Sequence, residues 1–183
     1  RVVAYGCALI PEKYTKSAIY VVRNPLDIVL SYARHYGIDQ SQAAEQICHT
    51  DNANAPTDRT VAEFLGSWSD HVASWTSKGS YPVLVLRYED MLSQPETEFA
   101  KVVEHFGMTV DEARLRRAID HASFDQLKQQ EQKQGFIEAS DKGAAFFGKG
   151  QAGQWRDELD LALVKQIRLA NKRLMKQYGY WND

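Results

Sequence analysis

The stretch Ala18-Ile19-Tyr20-Val21-Val22-Arg23-Asn24-Pro25-Leu26-Asp27 decides the fold of this chain. Its first half is short, β-branched and apolar without alternation, the pattern of a parallel strand covered on both faces. Its second half is a helix start: Asn24 is a capping residue, Pro25 fits the first helical position, and Asp27 puts an acid in the first turn. The predicted helix ends near Gly37. A second strand of the same character, Pro82-Val83-Leu84-Val85-Leu86-Arg87, follows some 60 residues later, and residues 2–9 read as a third, weaker one.

Between and after the strands the pattern is helical. Thr60-x-x-Glu63 reads as a capping box opening a helix to about Ser77, with Val61, Leu65, Trp68, Val72 and Trp75 on one face. Further helices are expected from Pro95 to Gly107, from Asp111 to His121, briefly beyond Ser123-x-x-Gln126, and from about Glu158 to Tyr178. Strand, crossover helices, strand is an α/β arrangement with a small parallel sheet. Ligands of such sheets bind at the carboxyl ends of the strands, where Arg23 and Arg87-Tyr88 fall. Residues 134–154 have no clear period and read as a long loop, a feature that is usually functional in a compact domain.

Composition narrows the field. The 183 residues suit a single domain, and 44% hydrophobic with 25% charged is ordinary for a globular protein. With 24 acids against 22 Lys plus Arg the net charge is -2, which argues against a protein that holds nucleic acid by its phosphates. Two cysteines, Cys7 and Cys48, make no disulfide framework and fit no zinc spacing, so a reducing, cytoplasmic setting and no metal are expected. No apolar run approaches the ~20 residues of a membrane span.

Several clusters could carry chemistry. Arg23 leaves a strand where a helix begins, and Ser31 lies about two turns into that helix on the face of Asn24. A guanidinium, a hydroxyl and a helix N-terminus together suit a phosphate. A salt bridge from Arg23 to Asp27 or Glu89 explains the same residues, and spacing leaves both readings open. In Phe146-Phe147-Gly148-Lys149-Gly150-Gln151-Ala152-Gly153-Gln154-Trp155, three glycines match G-x-G-x-x-G. The dinucleotide reading fails because no strand precedes the motif and no second strand with an acid follows. What remains is either a glycine-rich loop with Lys149 and Gly150 wrapped on a phosphate, or a flexible loop that packs Trp155 on the core. Tyr88 and Phe124 could hold a ring, although either aromatic could equally belong to the core. Of five histidines, His35 alone shares the Ser31 face, which makes it the one catalytic candidate in the chain. Trp68, His71 and Trp75 read as a core stripe.

In this order the pieces resemble the cytosolic-type sulfotransferases that use 3'-phosphoadenosine 5'-phosphosulfate. Tyr20 to Asp27 with Ser31 is similar to that family's 3'-phosphate segment, and Leu86-Arg87-Tyr88-Glu89-Asp90-Met91 to the strand end whose tyrosine touches adenine. Ser123-Phe124 resembles the Ser-Phe element that stacks on that ring. Phe147-Gly148-Lys149-Gly150-x-x-Gly153-x-Trp155 resembles the late Arg-Lys-Gly-x-x-Gly-x-Trp loop over the 3'-phosphate. The resemblance implies one P-loop-NTPase-like, three-layer domain over residues 1–183, helix-rich with a small parallel sheet. It implies Arg23, Ser31, Lys149 and Gly150 on the 3'-phosphate and Tyr88 and Phe124 on the adenine. Its co-substrate would be 3'-phosphoadenosine 5'-phosphosulfate, its product adenosine 3',5'-bisphosphate, and its partner a small-molecule acceptor with a hydroxyl or amine, a homodimer being left open.

Two departures stand out. Gly148 occupies the place of the family's loop arginine, at an expected cost of about tenfold to a hundredfold in affinity unless Lys149 compensates. The family's first strand, 5'-phosphosulfate loop and catalytic Thr-His segment match nothing in the chain and are expected upstream of Arg1, which would leave these residues inactive alone. A non-catalytic module that binds adenosine 3',5'-bisphosphate is the competing reading; a nucleotide kinase lacks its phosphate loop. Residues 35–58 and 134–147 are expected to line the acceptor cleft.

Overall fold

A computed structural model describes residues 3–4, 7–8, 14–56, 61–77, 79–136 and 145–182. Two short strands open it, β1 (Val3–Ala4) and β2 (Cys7–Ala8), paired antiparallel. In place of the single strand expected over residues 2–9 there are therefore two short antiparallel ones. The main sheet pairs β3 (Ala18–Val22) with β6 (Val83–Arg87) in parallel, from Ala18 opposite Val83 to Val22 opposite Arg87. Parallel pairing puts both carboxyl ends on one side of the molecule, so Arg23 and Tyr88 leave the sheet as neighbours. Complete burial on both faces was expected, but only Val22 of β3 and Leu86 of β6 are fully buried. Tyr20 and Val22 face a helix, whereas Val21, pointing the other way as strand alternation requires, is 45% exposed.

Helix α1 (Pro25–Tyr36) follows β3 as its sequence demands. The Asn24 side chain accepts from the Leu26 N–H at 3.0 Å, and Gly37 closes the helix at φ 61°, donating back to the Ala33 carbonyl. Leu26, Val29, Leu30 and Ala33 form its buried stripe. Helix α2 (Gln40–Cys48), absent from the sequence reading, is opened by an Asp39/Gln42 capping box and buries Ala43, Ala44 and Ile47. A small hairpin of β4 (Ala53–Asn54) and β5 (Glu63–Phe64) follows. This corrects the helix start at Thr60 and Glu63. Thr60 lies outside the described residues, Glu63 is in a strand, and Val61 is 78% exposed. The working capping box is Ser67 with Asp70, which starts α3 (Trp68–Thr76).

After β6 the chain turns at once into α4 (Tyr88–Ser93), then α5 (Pro95–His105), α6 (Glu112–His121) and α7 (Phe124–Gln134). The expected final helix is two: α8 (Trp155–Glu158) and α9 (Leu161–Gln177), divided where Asp160 caps the second by accepting from Ala162 N–H at 2.7 Å. Val164, Ile167, Asn171, Leu174 and Met175 line the buried face of α9 and meet α1, α2 and α3 around Trp68, Val72 and Tyr180. The core thus sits on the helical side, and the sheet edge carrying Arg23 is fixed to it from both flanks. The Trp68 indole donates to the Arg23 carbonyl at 3.1 Å, and the Tyr180 hydroxyl donates toward the Val22 carbonyl and Glu89, at 3.2 and 2.8 Å. Burial, with Glu89 beside it, pushes the Tyr180 phenol far above its ordinary range, so that hydroxyl keeps its proton as a donor.

Candidate functional site

The site is organised from the first turn of α1. Asp27 is 1% exposed and accepts two backbone N–H groups from the glycine-rich loop, Gly153 at 2.7 Å and Trp155 at 3.1 Å. A carboxylate in the first turn of a helix is itself favoured by the helix dipole. The loop is therefore clamped over the α1 N-terminus, with Trp155 in the core and Gly150 and Gly153 at φ 62° and 80°, a region that favours glycine. Trp155 packs on the core, as one reading of the loop expected, and the glycines arch over the strand end.

Beneath that arch lies Arg23. Its guanidinium donates from Nη1 to the Ser31 hydroxyl at 3.3 Å and from Nη2 to the Gln151 carbonyl at 3.4 Å, and lies 4.4 Å from the Tyr88 ring centroid. Strand end, helix and loop are thereby brought to one point. Arg23 pairs with neither of the two carboxylates that a salt bridge would use. Asp27 is taken up by the loop amides, and Glu89 accepts from Asn24 N–H at 2.9 Å and from Tyr180. Arg23 remains under-used: both hydrogen bonds are longer than the ~2.7–2.9 Å of charge-assisted ones, and its buried Nε has no acceptor among the described residues. A buried cationic donor without an acceptor suits an incoming anion.

Phe124, first residue of α7, meets the other end of the arch. A Cβ placed on Gly150 would fall 2.3 Å from its ring, so only glycine lets the loop pass there. Phe147 stands edge-on to Phe124 with centroids 6.3 Å apart. Lys149, expected on the anion, is paired with the Glu158 carboxylate. His35 packs edge-on against Tyr36 and Phe146, at 4.7 and 6.4 Å between centroids, and no hydrogen bond links it to the Arg23 cluster among the described residues. Of the residues singled out in the sequence, Arg23, Ser31 and Tyr88 touch directly. Gly150 and Phe124 join them through Gln151, while Lys149 and His35 stand apart.

An open cavity of about 430 Å³ lies past the end of α1, lined by Tyr36, Ile38, His49, Asp51, Asn52 and Asn54. The whole lining belongs to residues 35–58, the stretch expected to face an acceptor. Among the described residues no group of three or more His, Cys, Asp or Glu could hold a metal, and no helix is long and apolar enough to cross a membrane.

The strand ends, the helix start and the glycine loop thus converge on one guanidinium at the carboxyl edge of a parallel sheet, the edge at which such sheets take their ligands. The family model for the sulfotransferase domain matches residues 8–179, and the chain belongs to that family. It is 27% identical to Sulfotransferase 1B1 of Mus musculus over 183 residues, covering 91% of this chain and 58% of that one. Identity reaches 30% over 172 residues with Sulfotransferase 1A1 of the same species, covering 86% and 55%. The chain thus spans somewhat more than half the length of the curated relatives it matches. The fold resembles that of mouse sulfotransferase SULT7A1 complexed with PAP, with TM-score 0.65 and 21% identity over 90% of this chain and 60% of that one. Retinol dehydratase in a complex with retinol and PAP gives 0.66 and 24% over 86% and 47%. The α/β fold with a small parallel sheet, expected from two apolar strands and a helix cap, is shared with these sulfotransferases.

Proposed function

We propose that the polypeptide to which these residues belong transfers a sulfuryl group from 3'-phosphoadenosine 5'-phosphosulfate to a hydroxyl or amine of a small molecule, and that this chain holds the 3'-phosphoadenosine half of the donor. The observation that carries the proposal is the Arg23 guanidinium, joined to Ser31, laid on Tyr88, roofed by the loop at Gln151, and short of acceptors. A 3'-phosphate placed there exchanges those long bonds for short charge-assisted ones. Gly150 adds the backbone N–H of a left-handed loop residue, the geometry of an anion nest. The adenine then lies toward Tyr88 and Phe124, whose faces offer about 1–3 kcal/mol of stacking per base. Membership of the sulfotransferase family supports the reading, and so do the PAP complexes of the two structural neighbours.

In the transfer, the acceptor oxygen or nitrogen bonds to sulfur as the bond from sulfur to the bridging phosphate oxygen breaks. The acceptor proton goes to a base, and the leaving electron pair stays on the phosphate. Arg23 and Ser31 fix the nucleotide so that this line of atoms is held, which is a positioning contribution. We assign the acceptor to the cavity beside Tyr36 and Asn54, and no proton-transfer step to His35.

Isothermal titration of the protein with adenosine 3',5'-bisphosphate tests the reading. Micromolar binding that is lost in Arg23→Ala is expected. Equal affinity for adenosine 5'-monophosphate, which lacks the 3'-phosphate, would remove the role given to Arg23 and Ser31.

A further inference from the structure

The arginine missing from the glycine-rich loop has a structural counterpart elsewhere. A Cβ built on Gly148 would lie 3.5 Å from Nη2, 3.6 Å from Nε and 3.7 Å from Cζ of Arg34. These are ordinary contact distances, so the Arg34 guanidinium lies directly against Gly148, in the path of any longer side chain at that position. Arg34 stands in α1 three residues after Ser31, and residues three apart on a helix are surface neighbours. It is exposed, and among the described residues no carboxylate pairs with it. Lys149, the nearest replacement along the chain, is held by Glu158.

We propose that Arg34 supplies the second guanidinium of the 3'-phosphate site, delivered from the helix below instead of from the loop above. The proposal rests on the reading of the site given under Proposed function. Physically the exchange is favourable, because α1 is anchored in the core along Leu26, Val29, Leu30 and Ala33 and presents its cation from a fixed helix. Glycine at 148 leaves that guanidinium its room: a Cβ alone would only touch it, but a longer side chain there competes with Arg34 for the same volume. Arg23 donates to the Ser31 hydroxyl and Arg34 follows Ser31 by about one helical turn, so a phosphate on that hydroxyl would have one cation from the strand end and one from the helix within reach.

Titration of Arg34→Ala with adenosine 3',5'-bisphosphate and with adenosine 5'-monophosphate separates the possibilities. The first affinity should fall about tenfold to a hundredfold, the range of one hydrogen bond to a charged group, and the second should stay within about twofold. Arg34→Ala combined with Gly148→Arg should recover most of the loss, because the family's loop guanidinium then re-enters the vacated space. Arg34→Gln, which keeps the packing of the stem, should behave as Arg34→Ala and guards against a folding artefact, checked by circular dichroism. Unchanged bisphosphate affinity in Arg34→Ala, with binding still lost in Arg23→Ala, overturns the Arg34 assignment and leaves the proposed function standing. A double variant no tighter than Arg34→Ala overturns the exchange of positions. Equal wild-type affinities for the two nucleotides bring down the function and this inference together.

Discussion

Replacing Asp27 by asparagine is the sharpest perturbation of the loop clamp. The buried carboxylate accepts Gly153 N–H and Trp155 N–H with its two oxygens. Asparagine has nearly the same shape but only one acceptor oxygen, so one backbone N–H of the pair meets an amide NH₂ instead. The loss is one hydrogen bond to a charged group, about 1.5–3 kcal/mol. For a chain of this length each kcal/mol is worth about 2–4 °C, so the melting temperature should fall by about 3–12 °C. Relief of the buried charge's desolvation offsets part of this and favours the lower end of the range. Thermal unfolding by circular dichroism reads the shift, and amide hydrogen exchange should show Gly153 or Trp155 losing protection. Asp157→Asn, at an exposed position two residues past Trp155, serves as the control and should move the midpoint by less than about 2 °C. An Asp27→Asn protein that melts with the wild type and keeps both amides protected would refute the clamp.

Other expectations concern packing and pH. Gly150→Ala drives a Cβ into the Phe124 ring at a left-handed φ, whereas Gly107→Ala shares the left-handed φ with nothing within 4 Å. Both carry the backbone cost of about 1–2 kcal/mol, but Gly150→Ala adds about 1–3 kcal/mol of overpacking and should melt lower by several degrees; equal melting would remove the contact from the account. His71 accepts or donates at Nδ1 to the Tyr20 hydroxyl at 2.8 Å, and burial holds its imidazole below the ordinary 6.5. The unfolded chain therefore takes up that proton first, and stability falls as pH drops below about 6.5, levelling off only beneath the folded-state value. Denaturant midpoints from pH 8 to about 5 should show a shallower decline in His71→Gln than in the wild type, and parallel curves would contradict the assignment.

Local chemistry made much of the fold legible. Asn24-Pro25 and Gly37 bracket α1 in the sequence as they do in space, and the two apolar runs are the two parallel strands. Thr60 and Glu63 misled because a capping box is common by chance; the true one, Ser67 with Asp70, lies a few residues on, and a similar Asp39/Gln42 signal before α2 was there to be read. At the site, Arg23 and Tyr88 could be placed because each adjoins an element end whose direction the pattern fixes, and Ser31 because the helical period puts it on the face of Asn24. Lys149 could not: its partner Glu158 is nine residues away across a loop of no period, and pairing there is decided by tertiary geometry. Nor could the meeting of Arg34 with Gly148, which depends on where the Asp27 clamp sets the loop against α1.

A crystal structure of the protein with adenosine 3',5'-bisphosphate bears on the main contention without intermediaries. The 3'-phosphate should lie within ~3 Å of the Arg23 guanidinium and the Ser31 hydroxyl, with the Arg23 bond to Gln151 displaced. Nucleotide bound elsewhere, with Arg23 still donating to Ser31 and Gln151 as it does now, would contradict the account.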